Sequence, residues 1–489
     1  MDETLKVIEP LLIELSVPGR RGFKFAASDV PRAQEPDSAI RREGGVLLPQ
    51  ASELDTVRHF TRLASMTFGV DMGPYPLGSC TMKYNPKLNE ACASLDGFTA
   101  LHPLQDEDTV QGALELMYRM QESLSELVGM PCCTLAPCAG AHGEYTGLKI
   151  IRSYFHDKGQ SNRNRILIPV SAHGTNPASA NVNGFEVVEV ASSSDGLVDM
   201  DDLRSKLDEN TAALMLTNPN TLGLFETDIL EISRLVHEKG GLMYYDGANF
   251  NALMGWARPG DMGFDVVHLN LHKTFSTPHG GGGPGSGPVL AKEHLRPFVP
   301  RPTVVRHKSD GRYALSWGRG RRRTKVCAFW GNFLVVVRAY AYILAMGSDG
   351  LRAASTYAVL NANYLRVSMQ DIFSPAYGSL CKHEFVLGLA RFREETGVSA
   401  LDMAKGLIDL GFHPPTMYFP TIVHEALMFE PTESESKDTL DSLSQAMHSL
   451  CETARTDAGA LHGAPVGTII GRVDEVRAVK QPVLKYQED

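Results

Sequence analysis

One lysine, Lys273, follows the apolar run Val266–Leu271 and stands shortly before a stretch rich in glycine, Gly280–Gly285. A lysine amine is a useful nucleophile only where burial or neighbouring cations keep part of it unprotonated. Glycine residues let the backbone approach a bound group closely. A lysine after an apolar run is most often a surface charge at a strand end. This lysine, preceded by His272 and followed by glycines, instead favours covalent attachment of an aldehyde cofactor.

Asp246 supports that interpretation, because it ends an earlier apolar run, Leu242–Tyr245. An aspartate and a lysine at the ends of two strands are the pair that pyridoxal phosphate requires. The lysine forms the Schiff base with the aldehyde, and the carboxylate keeps the pyridine nitrogen protonated. The order of Asp246, His272, Lys273 and the glycines therefore predicts a pyridoxal phosphate site.

The elements that position these residues follow from the alternation of apolar runs and helical patterns after residue 165. Five apolar runs predict strands: Arg165–Val170, Phe185–Val190, Ala212–Leu216, Leu242–Tyr245 and Val266–Leu271. A helical pattern over Asp228–Lys239 ends at Gly240. Continuous apolar strands between helices indicate an α/β domain with a mostly parallel sheet covered on both faces. Ligands of such sheets bind beyond the carboxyl ends of the strands, where Asp246 and Lys273 fall.

Earlier in the chain, Asp108–Gln111 has the pattern of a capping box and predicts a helix that ends at Gly129. The turn Ala136–Glu144 runs into another helical pattern, and the backbone N–H groups at such a helix start bind phosphate. His173, after the strand at 165–170, is a candidate to lie flat on the pyridine ring; a simple loop histidine is the alternative. Asn218 and Asn220 follow a further strand and can supply amides to the same rim, although their segment taken alone is only a turn.

The composition excludes several function classes. The chain has 489 residues, 43% of them hydrophobic and 21% charged, which predicts a globular protein of two or three domains. A net charge of −10 does not favour nucleic acid as a partner. No segment is expected to span a membrane, and the acidic start at Asp2 and Glu3 does not predict a signal peptide. Eight cysteines at irregular spacing predict neither a disulfide framework nor a metal site, and they fit the cytoplasm.

Three regions are expected along the chain. Residues 1–60 are polar and irregular and predict an N-terminal arm or a segment that contacts another subunit. Residues 61–325 form the large cofactor-binding domain and include a basic loop between domains at 301–325. Residues 326–489 form a smaller C-terminal domain.

Several motifs together closely resemble the P-protein of the glycine cleavage system, in particular subunit 2 of the two-subunit form of glycine dehydrogenase (decarboxylating). The resemblance covers nearly the whole chain. It is carried by the segments Tyr75–Lys83, Leu101–Pro103, Ala139–Glu144, Leu269–Thr274, His383–Phe385, Gly411–Pro415 and Glu430–Ser436.

The resemblance implies a fold-type I, aspartate aminotransferase-like pyridoxal phosphate enzyme, with a large domain and a smaller C-terminal α+β domain. It implies catalytic roles for Lys273, which holds the cofactor covalently, for His272 in proton transfer or positioning, and for His173. The expected cofactor contacts are Gly140, Ala141, His173, Thr175, Asn218, Asp246, Ala248, His272 and Lys273. The expected substrate contacts lie in a loop at the mouth of the site and on the neighbouring rim: Ser79, Cys80, Thr81 and Asn220.

The implied reaction is the decarboxylation of glycine with transfer of the aminomethyl group to the lipoyl arm of H-protein. The implied partners are glycine, lipoylated H-protein, and either subunit 1 in a heterotetramer or a second copy of this chain. In that reaction the basic loop, with Arg321, Arg322 and Arg323, would help to dock an acidic carrier, and a merely solvated loop is the alternative.

Two departures from the family pattern leave alternatives open. Arg322, Arg323 and Thr324 stand where the family has Ser-Ile-Gly, and Val466 stands where it has histidine. These departures favour, as an alternative, a divergent pyridoxal phosphate enzyme that acts on another amino acid without a lipoyl carrier. A non-catalytic scaffold is the third possibility, against which Lys273, Asp246 and His173 argue together.

Overall fold

The computed structural model of the protein describes residues 8–279, 285–318, 324–378 and 380–486. The tetraglycine at 280–283 and the arginines Arg321, Arg322 and Arg323, which the sequence analysis singled out, lie outside these residues. The chain divides into two compact units, one of residues 73–465 and one that joins the residues up to Met72 to those from Val466 onward. These divisions differ from the predicted boundaries at residues 60 and 325.

The helices contain 4 to 36 residues and occur in both units. In chain order, they are α1 Glu53–Ser65, α2 Lys87–Ala93, α3 Asp96–Thr99, α4 Gln111–Val128, α5 Gly140–Asp157, α6 Thr175–Val182, α7 Met200–Lys206, α8 Ile229–Glu238, α9 Phe333–Ser368, α10 Ala390–Thr396, α11 Ala400–Asp409, α12 Lys437–Thr456, α13 Ala458–Gly463 and α14 Glu475–Lys480. Short 3-10 helices cover Glu107–Thr109 and Glu293–Phe298.

The strands all lie in the unit of residues 73–465. In chain order, they are β1 Cys132–Thr134, β2 Arg165–Pro169, β3 Glu186–Val190, β4 Thr211–Leu216, β5 Leu242–Gly247, β6 Val266–Leu269, β7 Val289–Ala291, β8 Thr303–Arg306, β9 Tyr313–Ser316, β10 Phe385–Gly388, β11 Thr416–Met417 and β12 Ala426–Phe429. Among the described residues, β1 to β7 form one sheet in the order β1-β7-β6-β5-β4-β2-β3. Strands β2 to β6 are parallel, whereas β7 runs antiparallel to both β6 and β1, so the predicted mostly parallel sheet is confirmed.

Successive residues of the central strands enter two separate apolar cores. Leu214 of β4 and Met243 of β5 belong to one core, whereas the next residues, Met215 and Tyr244, belong to the other. All four side chains are fully buried. Because side chains alternate between the faces of a sheet, a strand covered by helices on both faces must be apolar throughout. That requirement explains the continuous apolar runs in the sequence.

The C-terminal part of the same unit has its own small antiparallel sheet, in the order β10-β12-β11. Helices α10 to α13 pack on it around a third core that includes Phe385, Phe429 and Met447. Helix α9 packs against α2 and α4 as well as α12, so it connects the two parts of the unit. This continuity explains why no division falls at residue 325.

Helix α4 ends as predicted at Gly129, which adopts the left-handed conformation (φ 72°) and donates its N–H to Ser125. Its start differs from the prediction. Residues Glu107–Thr109 form a separate 3-10 turn, and Val110 precedes α4 without a side-chain cap. The Asp108 pattern therefore belongs to the preceding turn, whose own N–H groups are capped by Asp106.

Helix α9 is more apolar than the sequence analysis allowed. By length and composition alone it could cross a membrane, since one 18-residue window has a mean hydropathy of 1.3. Part of that window, 39% of it, is buried inside the protein. Gly347, with φ 63° and ψ −177°, breaks the helical backbone within α9. A helix buried in a protein core passes the same compositional test.

The second unit contains α1 and α14. Ser52 and Asp55 form a capping box at the start of α1, and Glu9 binds both His59 and Arg62 on the same helix. Away from these contacts, the described residues of the unit are largely exposed.

Candidate active site

A cavity of about 460 Å³ lies where the carboxyl ends of β4, β5 and β6 meet the loops that follow them. The described residues that line it come from the sheet, from the start of α5 and α6, and from the C-terminal part. They are Leu77, Gly78, Ser79, Cys80, Gly140, Ala141, Glu144, His173, Thr175, Thr217, Pro219, Thr221, Asp246, Ala248, Asn249, Asn270, His272, Lys273, His279, Glu384, Thr416 and Phe419. Lys273 and Asp246 therefore share one cavity, as their places at strand ends predicted.

Asp246 lies near the end of β5 and is 2% exposed. Its Oδ2 accepts a hydrogen bond of 2.8 Å from Asn176 Nδ2, and its Oδ1 accepts one of 3.0 Å from the backbone N–H of Ala248. His268, on the paired position of β6, brings Nε2 within 3.3 Å of the same Oδ1. A buried carboxylate with this many donors is built to remain charged.

The pKa of Asp246 shows that balance. Burial acts to raise this pKa, but His268, the amide of Asn176, the N–H of Ala248 and His173 together outweigh it. The net shift of the Asp246 pKa is therefore downward, which leaves an anion inside the protein at neutral pH. Such an anion needs a positively charged partner, and a protonated pyridine nitrogen supplies one.

His173 and Thr175 stand at the start of α6 and form a chain of contacts with Glu144. The Nδ1 of His173 lies 2.8 Å from the hydroxyl of Thr175, which in turn lies 2.7 Å from Glu144 Oε1. Glu144 also accepts hydrogen bonds from Ser179 and from Asn176. Burial lowers the pKa of His173. These contacts fix the ring of His173 as a neutral, oriented wall of the cavity.

Lys273 donates from Nζ to the backbone carbonyl of Ser79, at 2.7 Å. Ser79 has φ 64° and Thr81 has φ 31°, conformations that are uncommon for residues with a side chain. Such backbone strain persists only where surrounding contacts impose it. Contacts with the rest of the protein therefore hold the loop Ser79–Thr81 against the lysine.

The start of α5 forms another part of the cavity wall. Gly140 and Ala141 line the cavity, and no side chain caps the first turn of this 18-residue helix. A Cβ atom at Gly140 would lie 2.4 Å from Asn270 Nδ2, so glycine is required for the close approach. The first-turn N–H groups and the helix dipole together suit a phosphate group.

His272 lines the cavity next to Lys273, and its Nδ1 accepts a hydrogen bond of 3.4 Å from the backbone N–H of Ser286. Burial, with added repulsion from Lys273 and His279, lowers the pKa of His272 to about 3. The ring is therefore uncharged at neutral pH, and because a group with so low a pKa is a weak proton acceptor, positioning a neighbour suits it better than proton transfer.

Ala248 and Cys80 also lie where the sequence analysis placed them. Ala248 lines the cavity and binds Asp246 through its N–H. Cys80 lines the cavity with Sγ 4.0 Å from His279 Nε2, and burial raises the pKa of its thiol.

Three predicted residues are not among the described lining residues of this cavity. The side chains of Asn218 and Asn220 are outside the described lining and stabilise their own turn instead. The amide oxygen of Asn218 accepts a hydrogen bond from the N–H of Glu226. Asn220 donates to the carbonyl of Gly196 and accepts from the N–H groups of Leu222 and Leu224. Buried amides in a turn serve the backbone before any ligand. Thr81 is likewise turned away from the cavity, since its hydroxyl donates to Glu430. The neighbouring Thr217 and Thr221 line the cavity instead.

Sequence reasoning missed two buried carboxyl groups next to the lysine, Glu384 and Glu430. They are 3% and 0% exposed, and they meet His383 with one ligand atom of each residue within 4.8 Å of the others. Glu384 immediately precedes β10, and Glu430 immediately follows β12. The signal that could have found Glu384 was its position directly before the apolar run of β10.

The donor set of the cavity fits pyridoxal phosphate. Lys273 provides an amine, Asp246 a buried anion, His173 an oriented ring and α5 an uncapped helix start. One buried polar atom at this site, Asn270 Oδ1, has no hydrogen-bond partner among the described residues.

Comparison with known proteins agrees with this geometry. A family model described as glycine dehydrogenase, C-terminal domain, matches residues 354–462, and one described as aminotransferase class-V matches residues 146–285. The second match covers most of the central sheet and includes Asp246 and Lys273.

Two curated relatives match over nearly their whole length. A probable glycine dehydrogenase (decarboxylating) subunit 2 of Treponema denticola is 56% identical over 98% of both chains. One of Caldanaerobacter subterraneus is 54% identical over 99% of both chains.

Solved structures confirm the fold. A glycine decarboxylase (P-protein) of the glycine cleavage system in inhibitor-bound form superposes with a TM-score of 0.73 at 20% identity, covering 84% of this chain and 93% of that one. A sphingosine-1-phosphate lyase of Burkholderia pseudomallei gives a TM-score of 0.61 at 15% identity, covering 89% and 95%. The predicted fold-type I architecture is thus confirmed.

Proposed function

Because the chain belongs to the family of glycine dehydrogenase (decarboxylating) subunit 2, we propose that it binds pyridoxal phosphate and releases the carboxyl group of glycine as carbon dioxide. The remaining aminomethyl group passes to a sulfur of the lipoyl disulfide carried by H-protein. The observation that carries this proposal is the shared cavity of Lys273 and Asp246. The high identity over the full length does not favour the divergent enzyme that acts on another amino acid.

Each residue has a role in holding the cofactor. Lys273 holds the aldehyde carbon covalently, Asp246 holds the proton on the ring nitrogen, and His173 packs against the ring. Gly140 and Ala141 bind the phosphate through the N–H groups at the start of α5. When bound, the cofactor supplies an electron sink for the pair of electrons that the departing carboxylate leaves behind.

The remaining groups of the cavity handle glycine. His272, uncharged beside Lys273, would help to position the lysine amine when glycine takes its place on the cofactor.

The test is exchange of isotopic bicarbonate into the carboxyl group of glycine, with subunit 1 and lipoylated H-protein added. Wild-type protein is expected to show exchange that depends on H-protein, and Lys273→Ala is expected to show none. Lys273→Arg is the matched control, since it retains a cation but cannot bond to the aldehyde. Absence of exchange in a wild-type protein that binds the cofactor would contradict the proposed substrate or acceptor.

We also infer that subunit 1 covers the unit of α1 and α14. Several large apolar side chains in the described part of this unit are unusually exposed, including Phe23 at 71%, Phe25 at 85%, Val483 at 82% and Leu484 at 86%. Apolar surface of this extent is typical of an interface. The relatives are named subunit 2, which supports subunit 1 in a heterotetramer over a second copy of this chain.

Light scattering of purified chains, alone and mixed, measures this assembly. Phe23→Ser with Phe25→Ser is expected to weaken the heterotetramer, whereas Leu410→Ser, an exposed apolar side chain of the other unit, should leave it intact. A wild-type chain that forms only a self-dimer in the presence of subunit 1 would contradict the assignment. The cytoplasm is the expected compartment, in keeping with free thiols at all eight cysteines.

A further inference from the structure

Glu384 and Glu430 are two buried carboxyl groups in contact with the loop that touches the catalytic lysine. Glu384 Oε2 accepts a hydrogen bond of 2.6 Å from the backbone N–H of Ser79. Glu430 accepts from the hydroxyl of Thr81 at 2.7 Å, from the N–H of Thr81 at 3.2 Å and from Asn249 at 2.8 Å. The two carboxylates thus hold the two strained residues of the loop, one each.

This loop leads directly to Lys273. The N–H of Ser79 binds Glu384, while the carbonyl of the same residue receives the amine of Lys273 at 2.7 Å. Removing the acceptor at Glu384 would release Ser79 from its left-handed conformation, and the carbonyl would turn away from the lysine. Glu384 therefore acts on Lys273 through Ser79.

The backbone around Glu384 is equally constrained. A Cβ atom at Gly223 would lie 1.8 Å from the carbonyl oxygen of Glu384, and Lys382 N–H donates to the carbonyl of Gly223 at 2.7 Å. Gly78, next to Ser79, approaches Met428 of β12 so closely that a Cβ atom would lie 2.1 Å from its side chain. Both carboxylates are thus carried on parts of the fold that cannot shift easily.

Two carboxylates this close and this buried cannot both be charged at moderate cost. Burial and the neighbouring Glu430 raise the pKa of Glu384 well above its usual value, and burial raises the pKa of Glu430 to about 7. The other titratable groups that face the pair are Lys273, His383 and Cys80. Burial lowers the pKa of His383 to about 3, so this ring adds no charge.

We propose that Glu384 and Glu430 are positioning residues for Lys273 that share a single negative charge and hold the Ser79 carbonyl at the lysine amine. The shared charge balances the lysine whenever its amine is free and protonated. The inference rests on the proposed function for its catalytic meaning, whereas the geometry and charge of the pair do not depend on which substrate is used.

Shared charge predicts a particular pattern among glutamine variants. In Glu384→Gln or Glu430→Gln alone, the remaining carboxylate keeps the charge, and Lys273 should react with acetic anhydride at a rate within about twofold of the wild type. In the double variant the charge is lost, and labelling of Lys273 at pH 8 should rise roughly 3- to 10-fold, which corresponds to half to one pH unit of electrostatic effect. The measurement uses the full chain freed of cofactor with hydroxylamine, and peptide mass spectrometry with the exposed Lys239 as internal reference.

Positioning predicts a second pattern in activity. Glu384→Gln retains an oxygen that accepts from Ser79 N–H and should keep kcat for bicarbonate exchange within a few-fold. Glu384→Ala removes the acceptor and should lower kcat roughly tenfold or more. Glu226→Gln is the matched control, because Glu226 is also buried, also accepts a backbone N–H and lies outside the described cavity lining.

Two outcomes would overturn the proposal. Labelling of Lys273 in the double variant at the wild-type rate would exclude the shared charge, and equal kcat for the alanine and glutamine variants of Glu384 would exclude the link through Ser79. Melting temperatures of all variants show whether each one folds. Because labelling needs no glycine chemistry, a wild-type protein that fails in bicarbonate exchange would contradict the proposed function and leave the labelling test of the pair intact.

Discussion

Asp246 and Glu430 lie in different parts of the same site, Asp246 in the cavity lining and Glu430 bound to the loop Ser79–Thr81. They are almost equally buried, 2% and 0% exposed, yet their pKa values move in opposite directions. Each accepts hydrogen bonds from a side-chain amide and a backbone N–H. The pKa of Asp246 falls below its usual range, whereas burial raises that of Glu430 to about 7. Hydrogen bonds alone therefore do not decide whether a buried carboxyl is charged.

The balance between burial and the neighbouring groups decides the difference. Asp246 faces His268 and His173, which favour its anion. At Glu430 burial prevails, and it raises the pKa although Thr81, Asn249 and Lys273 act to lower it; the charge of Glu430 in turn helps to raise the pKa of Glu384. One side of the cavity is thus built around a fixed negative charge for the cofactor ring. The other side is built around a carboxyl pair that holds a proton.

The largest expected effect comes from removing the fixed charge. Asp246→Asn keeps the shape of the side chain but removes the anion that keeps the ring nitrogen protonated, so exchange activity should fall roughly 10²- to 10³-fold, the range for loss of one preorganised electrostatic group. The absorbance of the bound cofactor, titrated with pH, should shift at the same time.

Asp265→Asn is the control for this change. Asp265 is also buried beside the sheet, accepts from Met243 N–H and His237, and lies outside the described lining of the cavity. Full activity in Asp246→Asn would show that the two sides of the cavity do not differ as the comparison requires.

The next effect is on stability and is expected at the other side. Because the pKa of Glu430 is about 7 in the folded protein and near 4.5 when unfolded, the folded state binds more protons between these values, and stability falls as pH rises through this window. The full loss is at most about 3 kcal/mol. Glu430→Gln cannot titrate, so its stability should depend less on pH than that of the wild type.

Melting of cofactor-free protein at pH 5 and pH 8 measures this difference. The melting temperature of Glu430→Gln minus that of the wild type should be larger at pH 8 than at pH 5. A gap that stays constant, or that moves in the opposite direction, would show that Glu430 is ionised throughout and that no proton is held there.

The sequence predicted one side of this comparison far better than the other. Asp246 and Lys273 end long apolar runs, and such runs become buried strands because both faces of the sheet are covered. Because both residues stand at strand ends, their meeting can be predicted from the sequence without knowing how the protein packs.

Glu384 and Glu430 carried a weaker signal. They flank short strands of a separate antiparallel sheet, and they reach Lys273 only because the loop Ser79–Thr81 packs between the two parts of the unit. Contacts between residues so distant in sequence depend on how the two parts pack. Asn218 and Asn220 show the reverse case. A strand-end position places a residue near the rim of the site, but it does not decide whether the turn uses the side chain.

The smallest expected effect concerns the orientation of His173, which lines the cavity together with Asp246. The hydroxyl of Thr175 lies between His173 and Glu144, at 2.8 Å and 2.7 Å. Thr175→Val has nearly the same volume but removes both contacts, which costs about 1 kcal/mol for a typical hydrogen bond. Cofactor affinity should weaken roughly 5- to 10-fold, while kcat at saturating cofactor stays close to that of the wild type. Thr175→Ser, which restores the hydroxyl, should recover the affinity, and a valine variant with unchanged affinity would show that Asp246 and α5 alone orient the ring.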